Sequence, residues 1–271
     1  MMLLSFLIIT LPFCFSTITF IHLKSYYILA IFIILYAIIL FAIAKGGCLD
    51  PGIIPRQLGK SPSFRRKTDF IMVSNGSFVK FSYCYTCNII KPPRASHCAK
   101  CDNCCQRFDH HCLWLGNCIG KRNYKYFFLL LTTLIINCII GIIYNICIIV
   151  QSVKDKEEEK IKFRIFTISV LAGITFYELM FLIIFLGRLF FVHIRLVFKN
   201  ITFYEHIKHK LINPAKHNPF YKSISQNLYR LLIALNPKSL LNGHIRRIRK
   251  AITRENVNNN KVFSPYINDK K

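Results

Sequence analysis

The fold is decided by residues 84–118, which read CYTCNIIKPPRASHCAKCDNCCQRFDHHCLWLGNC. This stretch contains eight of the 12 cysteines of the chain, together with three histidines. Two cysteines, a histidine and a further cysteine form a pattern that occurs twice, with the second copy 14 residues after the first. The first copy is Cys84, Cys87, His97 and Cys104, and the second is Cys98, Cys101, His111 and Cys118.

Each copy supplies three thiolates and one imidazole, a donor set that suits tetrahedral Zn²⁺. Four protein ligands leave no open position, so the pattern predicts two structural zinc ions rather than a catalytic metal. A disulfide framework is disfavoured, because these cysteines are clustered instead of spread over a small secreted fold. Histidine ligands make an iron–sulfur site less favourable. Because such a small segment cannot build much core, we expect metal binding to supply its folding free energy.

Besides the eight predicted ligands, this stretch contains three further cysteine and histidine residues: Cys105, His110 and Cys112. His110 and Cys112 flank the ligand His111, and a loop held at His111 by zinc can direct both side chains at one point. A thiolate is the reactive form of cysteine, and a neighbouring histidine raises its fraction at neutral pH. Asp109 can orient His110, as the third group of a triad does. Spacing alone leaves two interpretations open: Cys112 is a nucleophile, or it is a spare thiol or an alternative zinc ligand.

The composition indicates a membrane protein. Hydrophobic residues make up 53% of the 271 residues, yet the formal net charge is +25. High apolar content with strong basic charge is typical of membrane spans with basic flanks. Four apolar runs carry at most one charged side chain each, and a helix of roughly 20 such residues crosses a bilayer. These runs are 1–21, 25–44, 126–153 and 165–187.

The distribution of charge orients the predicted spans. The segment 45–125 has 14 Lys and Arg against 4 Asp and Glu, and the tail 199–271 has 15 against 3. Positively charged loops stay in the cytosol, so both segments and both termini are predicted to be cytosolic. We expect the first run to be retained as a span, because it lacks the basic start and the small-residue cleavage site of a signal peptide.

The sequence thus predicts an all-α multi-pass membrane protein. Four transmembrane helices are expected, with a small, zinc-stabilised, cytosolic cysteine-rich domain between helices 2 and 3. The predicted parts are 1–47 for helices 1 and 2, 48–125 for the cysteine-rich domain, 126–198 for helices 3 and 4, and 199–271 for the C-terminal tail. The last part of the tail, rich in Asn and Lys, is predicted to be disordered.

The cytosolic positive charge suggests two kinds of partner. It can attract anionic lipid head groups, or it can bind a polyanionic ligand such as a phosphate-bearing cofactor. Nucleic acid is a poor candidate, because no nucleic-acid recognition module is found in the sequence.

Several short motifs in the cysteine-rich segment are highly specific when taken together. They are Cys84-Tyr-Thr-Cys87, Lys91-Pro-Pro-Arg-Ala-Ser-His97-Cys98, Cys101-Asp-Asn-Cys104, Arg107-Phe-Asp109-His-His-Cys112, Trp114, Asn117-Cys-Ile-Gly120 and Asn123. Through them the chain resembles the Asp-His-His-Cys protein S-acyltransferases, the palmitoyltransferases of endomembranes.

Three flanking motifs extend this resemblance from Asp50 to Asn227. Asp50-Pro51-Gly52 is similar to the family's Asp-Pro-Gly motif, and Thr202-Phe203-Tyr204-Glu205 stands where the family has Thr-Thr-x-Glu. Asn218-Pro219-Phe220 with Asn227 resembles the C-terminal motif, in which an aromatic residue and an asparagine pack against the membrane domain.

The chain departs from the family pattern at three positions. Leu113 replaces a usual Pro, Phe203 replaces the second Thr that supports the active site in the family, and Ser223 replaces a common Gly. None of these changes removes the nucleophile or a zinc ligand. We therefore expect them to affect local geometry and efficiency rather than the chemistry.

The resemblance implies a two-step transfer of a long acyl chain. Cys112 would attack the thioester of an acyl-CoA with His110 as base and Asp109 as its partner, and the chain would pass to a cysteine of a membrane-associated protein. Lys91 and Arg94 would meet the CoA phosphates, or they are solvated surface charges. Trp114 would line the acyl chain, anchor the membrane interface, or do both. The expected location is the Golgi or endoplasmic reticulum, with the plasma membrane as an alternative.

Two other functions compete with the acyltransferase. A non-catalytic, zinc-organised membrane scaffold is favoured only by the altered Thr-Thr-x-Glu motif and opposed by the intact Asp109, His110 and Cys112. A membrane-bound zinc-finger ubiquitin ligase would also use eight ligands, but it needs neither a spare His–Cys pair nor an Asp-Pro-Gly motif.

Overall fold

The structure, a computed structural model, describes residues 26–57, 70–72, 78–80, 82–154, 161–208, 218, 220–230 and 237–241. Within these residues, three helical segments are long and apolar enough to cross a membrane. They are Tyr26–Cys48, Tyr124–Lys154 and Ile165–Lys199, so the second, third and fourth predicted spans are confirmed as candidate membrane helices. The predicted first span, 1–21, and the end of the tail, 256–271, lie outside the described residues.

Helix α1 (Tyr26–Cys48) and helix α2 (Tyr124–Lys154) are continuous. The last span consists of α3 (Ile161–Met180), a π-helical segment (Phe181–Gly187) and α4 (Arg188–Lys199). A helix satisfies its backbone polar groups internally, which explains why apolar runs of this length become helices.

The last helical run continues 12 residues beyond Gly187, where the uncharged run of the sequence ends. In α4 the buried residues are His193, Leu196 and Val197, which share one face, so this segment packs although it is no longer uniformly apolar. Asn200 ends α4 in the left-handed conformation, with φ of 50°, and its N–H donates to Leu196 and Val197.

Short strands lie in the described part of the segment between α1 and α2. They are β1 (Ile53–Ile54), β2 (Phe70–Met72), β3 (Phe78–Lys80), β4 (Ser82–Cys84), β5 (Ile89–Lys91), β6 (Ser96–Cys98), β7 (Asn103–Cys105), β8 (His110–Cys112) and β9 (Asn117–Ile119). All pairings are antiparallel: β2 with β3, β4 with β5, β6 with β7, β8 with β9, and β1 with the free edge of β7.

Three of these hairpins have the same shape and follow one another at intervals of 14 residues. We call them hairpin 1 (β4–β5), hairpin 2 (β6–β7) and hairpin 3 (β8–β9). Each turn contains one residue with positive φ, namely Asn88, Asp102 and Gly116 in the three hairpins. Asn, Asp and Gly adopt this conformation at low cost, which accounts for the residue type at each turn.

Hairpin 3 is joined to the end of α1. The Nδ2 of Asn117 donates to the carbonyls of Gly46, Gly47 and Leu49 at 3.2, 3.0 and 3.0 Å. The last carbonyls of a helix have no partner within the helix, so Asn117 caps α1 from another element. Gly46 also permits close packing, because a Cβ there would lie 2.9 Å from Cδ1 of Leu115.

The main apolar core includes residues from α1, hairpin 3, α2 and the last span. Its members include Ile39, Ala42, Leu115, Ile119, Phe127, Leu131, Leu186 and Val197. Two short helices complete the described chain, α5 (Phe203–Lys208) and α6 (Ile224–Leu228). Through Leu115 and Ile119, hairpin 3 packs in the same core as the candidate membrane helices.

Candidate acyl-transfer site and metal clusters

The structure brings the predicted metal ligands together in two groups. One group is Cys84, Cys87, His97 and Cys104, and the other is Cys98, Cys101, His111 and Cys118. Within each group all candidate ligand atoms lie within 4.8 Å of one another, and both groups could hold a metal ion. Three thiols and an imidazole are the donor set of structural zinc sites.

Each group joins two successive hairpins. The first takes the turn cysteines of hairpin 1 and the cross-strand pair His97–Cys104 of hairpin 2. The second takes the turn cysteines of hairpin 2 and the cross-strand pair His111–Cys118 of hairpin 3. A metal ion at each group would therefore link hairpin 1 to hairpin 2 and hairpin 2 to hairpin 3. The 14-residue repeat of the sequence is the repeat of the hairpins.

The turn of hairpin 3 has no hairpin after it, because the chain continues into α2. Cys112 occupies the position that Cys84 and Cys98 occupy in the first two hairpins, opposite Asn117. The position of the second turn cysteine is taken by Leu115, which is 2% exposed. Cys112 is therefore a ligand-type cysteine that lies in neither of the two metal groups.

Asp109 and His110 form a hydrogen-bonded pair beside Cys112. The Nδ1–H of His110 donates to Oδ2 of Asp109 at 2.7 Å, and the Asp109 side chain is 1% exposed. Burial opposes the charged form of His110, but its hydrogen bonds to Asp109 and Cys112 and their charges raise its pKa to about 9. Burial also disfavours the Asp109 carboxylate, yet the hydrogen bond and charge of His110 lower its pKa overall. The pair can therefore hold a proton next to the Cys112 thiol.

An apolar cavity opens next to this group. Its lining residues are Ile43, Cys112, Trp114, Leu115, Phe127, Leu130, Leu131, Leu134, Phe181, Phe185, Leu186 and Leu189. Cys112 is the one cysteine in this lining. The indole of Trp114 packs edge-on against Phe185 of the π-helical segment, with ring centroids 5.8 Å apart. The nucleophile candidate and Trp114 therefore share one apolar space between α1, α2 and the last span.

The altered Thr-Thr-x-Glu motif contacts the site through its backbone. The N–H of Phe203 donates to Oδ1 of Asp109 at 2.8 Å. Thr202 and Glu205 form a capping box, since the Glu205 N–H donates to Oγ1 of Thr202 and the Thr202 N–H donates to Oε2 of Glu205. The support of Asp109 thus uses a backbone donor, which Phe203 supplies although it lacks a hydroxyl.

Arg94 lies behind the same motif. Its guanidinium donates to both carboxylate oxygens of Glu205 at 2.7 and 2.8 Å, and to Oδ1 and the carbonyl of Asn200 at 3.1 and 3.0 Å. Four of its donors are thereby directed at protein acceptors, and the Phe220 ring lies 4.7 Å from its Cζ. Only 8% of the side chain is exposed, so this geometry fits a structural clamp better than a contact with CoA phosphates.

Lys91 and Leu113 lie at the surface of the cysteine-rich segment. Lys91 is partly exposed at the end of β5, opposite Ser82. Leu113, which replaces the usual Pro, is 45% exposed directly after Cys112. Both side chains are therefore accessible from outside the cysteine-rich segment.

The Asp50-Pro51-Gly52 motif forms the turn that leads from α1 into the cysteine-rich segment. Oδ1 of Asp50 accepts from the N–H groups of Gly52 and Ile53 at 2.8 Å each, and its Oδ2 pairs with Nη1 of Arg122 at 2.7 Å. Gly52 has a φ of 111°, a conformation that glycine adopts without strain. The motif thus orients the cysteine-rich segment relative to α1.

The C-terminal motif packs onto the end of α4. Nδ2 of Asn218 donates to the Lys199 carbonyl at 2.6 Å, and Nδ2 of the fully buried Asn227 donates to the Phe198 carbonyl at 3.1 Å. Ser223, which replaces a Gly, is the N-cap of α6 and accepts from the N–H of Gln226 at 3.3 Å. Pro219 lies outside the described residues.

His193 is a site residue that the sequence reasoning missed. It lies on α4, is 1% exposed, and has a ring nitrogen within 4.8 Å of potential ligand atoms of Asp109 and His110. The available signal was a histidine flanked by apolar residues shortly after the apolar run 165–187, because polar side chains next to a membrane span tend to face the protein interior.

Comparisons with known proteins place this segment in a matched region. The family model described as DHHC palmitoyltransferase matches residues 77–210. The chain is 47% identical over 114 residues to Palmitoyltransferase ZDHHC9 of Pongo abelii, and this match covers 36% of the chain and 31% of that protein. It is 32% identical over 215 residues to Probable protein S-acyltransferase 2 of Arabidopsis thaliana, covering 71% of this chain and 50% of that protein. The matched part therefore spans half or less of the length of these relatives.

Proposed function

From the match of residues 77–210 to the family model described as DHHC palmitoyltransferase, we propose that the chain is a protein S-acyltransferase of that family. Its reaction moves a long-chain acyl group from acyl-CoA to cysteine thiols of membrane-associated proteins. Cys112 is the nucleophile, His110 the base and Asp109 the partner of His110.

In the first step His110, as the base, holds the proton of the Cys112 thiol, because its raised pKa favours an imidazolium beside the Cys112 thiolate. The thiolate sulfur attacks the carbonyl carbon of the acyl-CoA thioester, the bond between that carbon and the CoA sulfur breaks, and the proton on His110 passes to the leaving CoA thiolate. Splitting acyl transfer through an enzyme-bound thioester is covalent catalysis. The 2.7 Å hydrogen bond between His110 and Asp109 supports this role, because the carboxylate stabilises the imidazolium.

In the second step His110 accepts the proton of a cysteine thiol on the protein substrate. The substrate thiolate attacks the acyl carbonyl on Cys112, and the Cys112 thiolate leaves and takes up the proton from His110. The same pair of residues therefore serves both steps as base and then acid.

The apolar cavity supports a long-chain acyl group as the transferred unit. Burial of each CH₂ group is worth about 0.8 kcal/mol, so a long chain is strongly driven out of water into such a lining. Phe127, Leu131 and Phe185 give the cavity this apolar character, and Trp114 lies on the wall beside Cys112. The acyl chain would run from Cys112 between the helices.

Two structural zinc ions are part of this proposal. Cys84, Cys87, His97 and Cys104 would hold one ion, and Cys98, Cys101, His111 and Cys118 the other. When bound, the ions supply structure rather than chemistry, because four protein ligands leave no position for substrate. Linking the three hairpins through the ions would hold Asp109, His110 and Cys112 against the membrane helices.

The remaining parts concern location and recognition. We propose a four-span endomembrane protein, in the Golgi or endoplasmic reticulum, with both termini and Cys112 on the cytosolic side. Acyl-CoA and cysteine-containing membrane-associated proteins are its substrates, and Lys91 is the proposed contact for the CoA phosphates. The basic flanks favour contact with anionic membrane lipids.

One observation carries this function: the buried Asp109 is hydrogen-bonded to the partly buried His110, which adjoins a cysteine that also lines an apolar cavity. The test is labelling of the purified, zinc-loaded protein with a long-chain acyl-CoA, followed by hydroxylamine. Hydroxylamine-sensitive label should form on wild type and on Cys105→Ala, but not on Cys112→Ala. Absence of label in a folded wild type would contradict the proposed acyltransferase activity and favour the non-catalytic, zinc-organised scaffold.

A further inference from the structure

His193 lies at the centre of a cluster of aromatic rings around His110. Its ring centroid is 5.9 Å from that of His110 and 4.9 Å from that of Phe127, and it stacks on Phe203 at 5.8 Å. His110 itself contacts Phe127 edge-on at 5.0 Å and Phe203 at 6.2 Å. The two histidines therefore share both phenylalanine neighbours, and His193 packs beside His110.

One hydrogen bond fixes the orientation of His193. The hydroxyl of Tyr124, the first residue of α2, lies 3.2 Å from Nδ1 of His193 on α4. Both side chains are buried, at 7% and 1% exposed. A buried hydroxyl that loses its partner costs about 1–3 kcal/mol, so the ring is held by this bond as well as by packing.

His193 lies close to the reacting groups but outside the acyl cavity. One of its ring nitrogens lies within 4.8 Å of both an Asp109 carboxylate oxygen and a His110 ring nitrogen. It is not among the residues that line the cavity. An effect of His193 on the reaction must therefore pass through Asp109 and His110 rather than through contact with the acyl chain.

We propose that His193 is a positioning residue of the acyl-transfer site, held by Tyr124 so that it keeps His110 between Asp109 and Cys112. This inference rests on the proposed function and extends it to α2 and α4. Since Tyr124 and His193 lie on different membrane helices, the alignment of His110 depends on how these two helices pack. The link connects the cytosolic hairpin 3 to the membrane helices at the reacting atoms.

The test separates the polar role of His193 from its bulk. His193→Phe keeps a ring of similar size but loses the bond to Tyr124. His193→Asn has an amide that reaches the position of Nδ1 and restores the bond. Tyr124→Phe removes the hydrogen-bond partner of His193. The double variant, with both His193→Phe and Tyr124→Phe, completes a double-mutant cycle. The exposed His206, on α5, gives the matched control His206→Phe.

Two readouts are measured on the zinc-loaded, full-length protein. The first is the rate constant and KM for acyl-enzyme formation with palmitoyl-CoA. The second is the rate at which iodoacetamide alkylates Cys112, followed by peptide mass spectrometry, which needs no acyltransferase activity. We expect His193→Phe and Tyr124→Phe each to slow both reactions about tenfold, with KM unchanged and with no further loss in the double variant. His193→Asn should recover most of the rate, and His206→Phe should match wild type.

Equal rates in wild type and His193→Phe would overturn the proposal. A rise in KM that accounts for the loss would do so as well, because it would indicate a role in acyl-CoA binding. If His193→Asn reacts no faster than His193→Phe, the hydrogen bond to Tyr124 has no effect on the reaction and His193 contributes only by packing. If wild type forms no acyl-enzyme while the alkylation rates differ as expected, the acyltransferase proposal is wrong and the positioning of His110 beside Cys112 by His193 stands.

Discussion

Cys112 occupies in hairpin 3 the position that the candidate metal ligand Cys98 occupies in hairpin 2. Cys98 pairs with Asn103 across its hairpin, and Cys112 pairs with Asn117 across the next one. The metal group at Cys98 is completed by Cys101 and by hairpin 3, whereas the turn of hairpin 3 has Leu115 and is followed by α2. The proposed nucleophile is therefore the last member of a series of metal-binding turns, left without the residues that would complete a site.

This relationship predicts the effect of Leu115→Cys. The variant gives Cys112 a second thiol at the spacing of Cys84–Cys87 and Cys98–Cys101, and metal held by the new pair would occupy the thiolate. We expect acyl-enzyme formation to fall at least tenfold when zinc is added and to return with a weak chelator. Cobalt substitution should add thiolate-to-metal absorption.

The matched control is Leu115→Ala, which loses the same packing against Gly46 but provides no thiol. Zinc should leave its residual activity unchanged. An identical response of the Cys and Ala variants to zinc would show that the hairpin position alone does not make Cys112 a potential ligand.

A second prediction concerns the metal content. The purified protein should contain two zinc ions per chain, as measured by elemental analysis. Cys118→Ser should lose at least one ion, because Cys118 belongs to the group at hairpins 2 and 3. Cys105→Ser should keep both, since Cys105 is buried against Pro51 and lies outside both groups. Two ions retained in Cys118→Ser would contradict the ligand assignment.

A third prediction uses the backbone donor to Asp109. Phe203→Pro removes the N–H that bonds Oδ1, at a helix position where proline is tolerated because Thr202 is the cap. Phe203→Ala removes the ring but keeps the N–H. A buried acceptor left unpaired costs about 1–3 kcal/mol, so the proline variant should form acyl-enzyme roughly ten- to a hundredfold more slowly, and the alanine variant less so. A loss in Phe203→Ala as large as in Phe203→Pro would assign the effect to the ring.

Two kinds of feature could be predicted from the sequence: ligand sets that repeat along the chain, and apolar runs long enough to form membrane-spanning helices. The ligand sets followed from the 14-residue offset of Cys84 and Cys98, and three spans followed from uncharged runs such as 126–153. Hairpin 3 could not be recognised as a third copy from the ligand pattern. Of the two cysteine positions at its turn, only the one at Cys112 is still a cysteine. His193 was missed because its neighbours His110 and Tyr124 are distant in sequence, and its role depends on helix packing. The fourth apolar run ends at Gly187, although helices 3 and 4 were assigned to 126–198, and the run does not reveal that α4 continues with one buried face.

The last prediction separates Arg94 from Lys91. Arg94 and Glu205 form a buried bidentate pair, so Arg94→Gln should lower the free energy of unfolding by about 3–5 kcal/mol by leaving Glu205 unpaired. Glu205→Gln in the same chain should recover part of this loss, and the KM for acyl-CoA of the folded fraction should be unchanged. The partly exposed Lys91 is the matched cation, and Lys91→Gln should raise that KM without loss of stability. Denaturant unfolding in detergent and acylation kinetics measure both. A raised KM with normal stability in Arg94→Gln would return Arg94 to the CoA contacts and remove its role as a clamp.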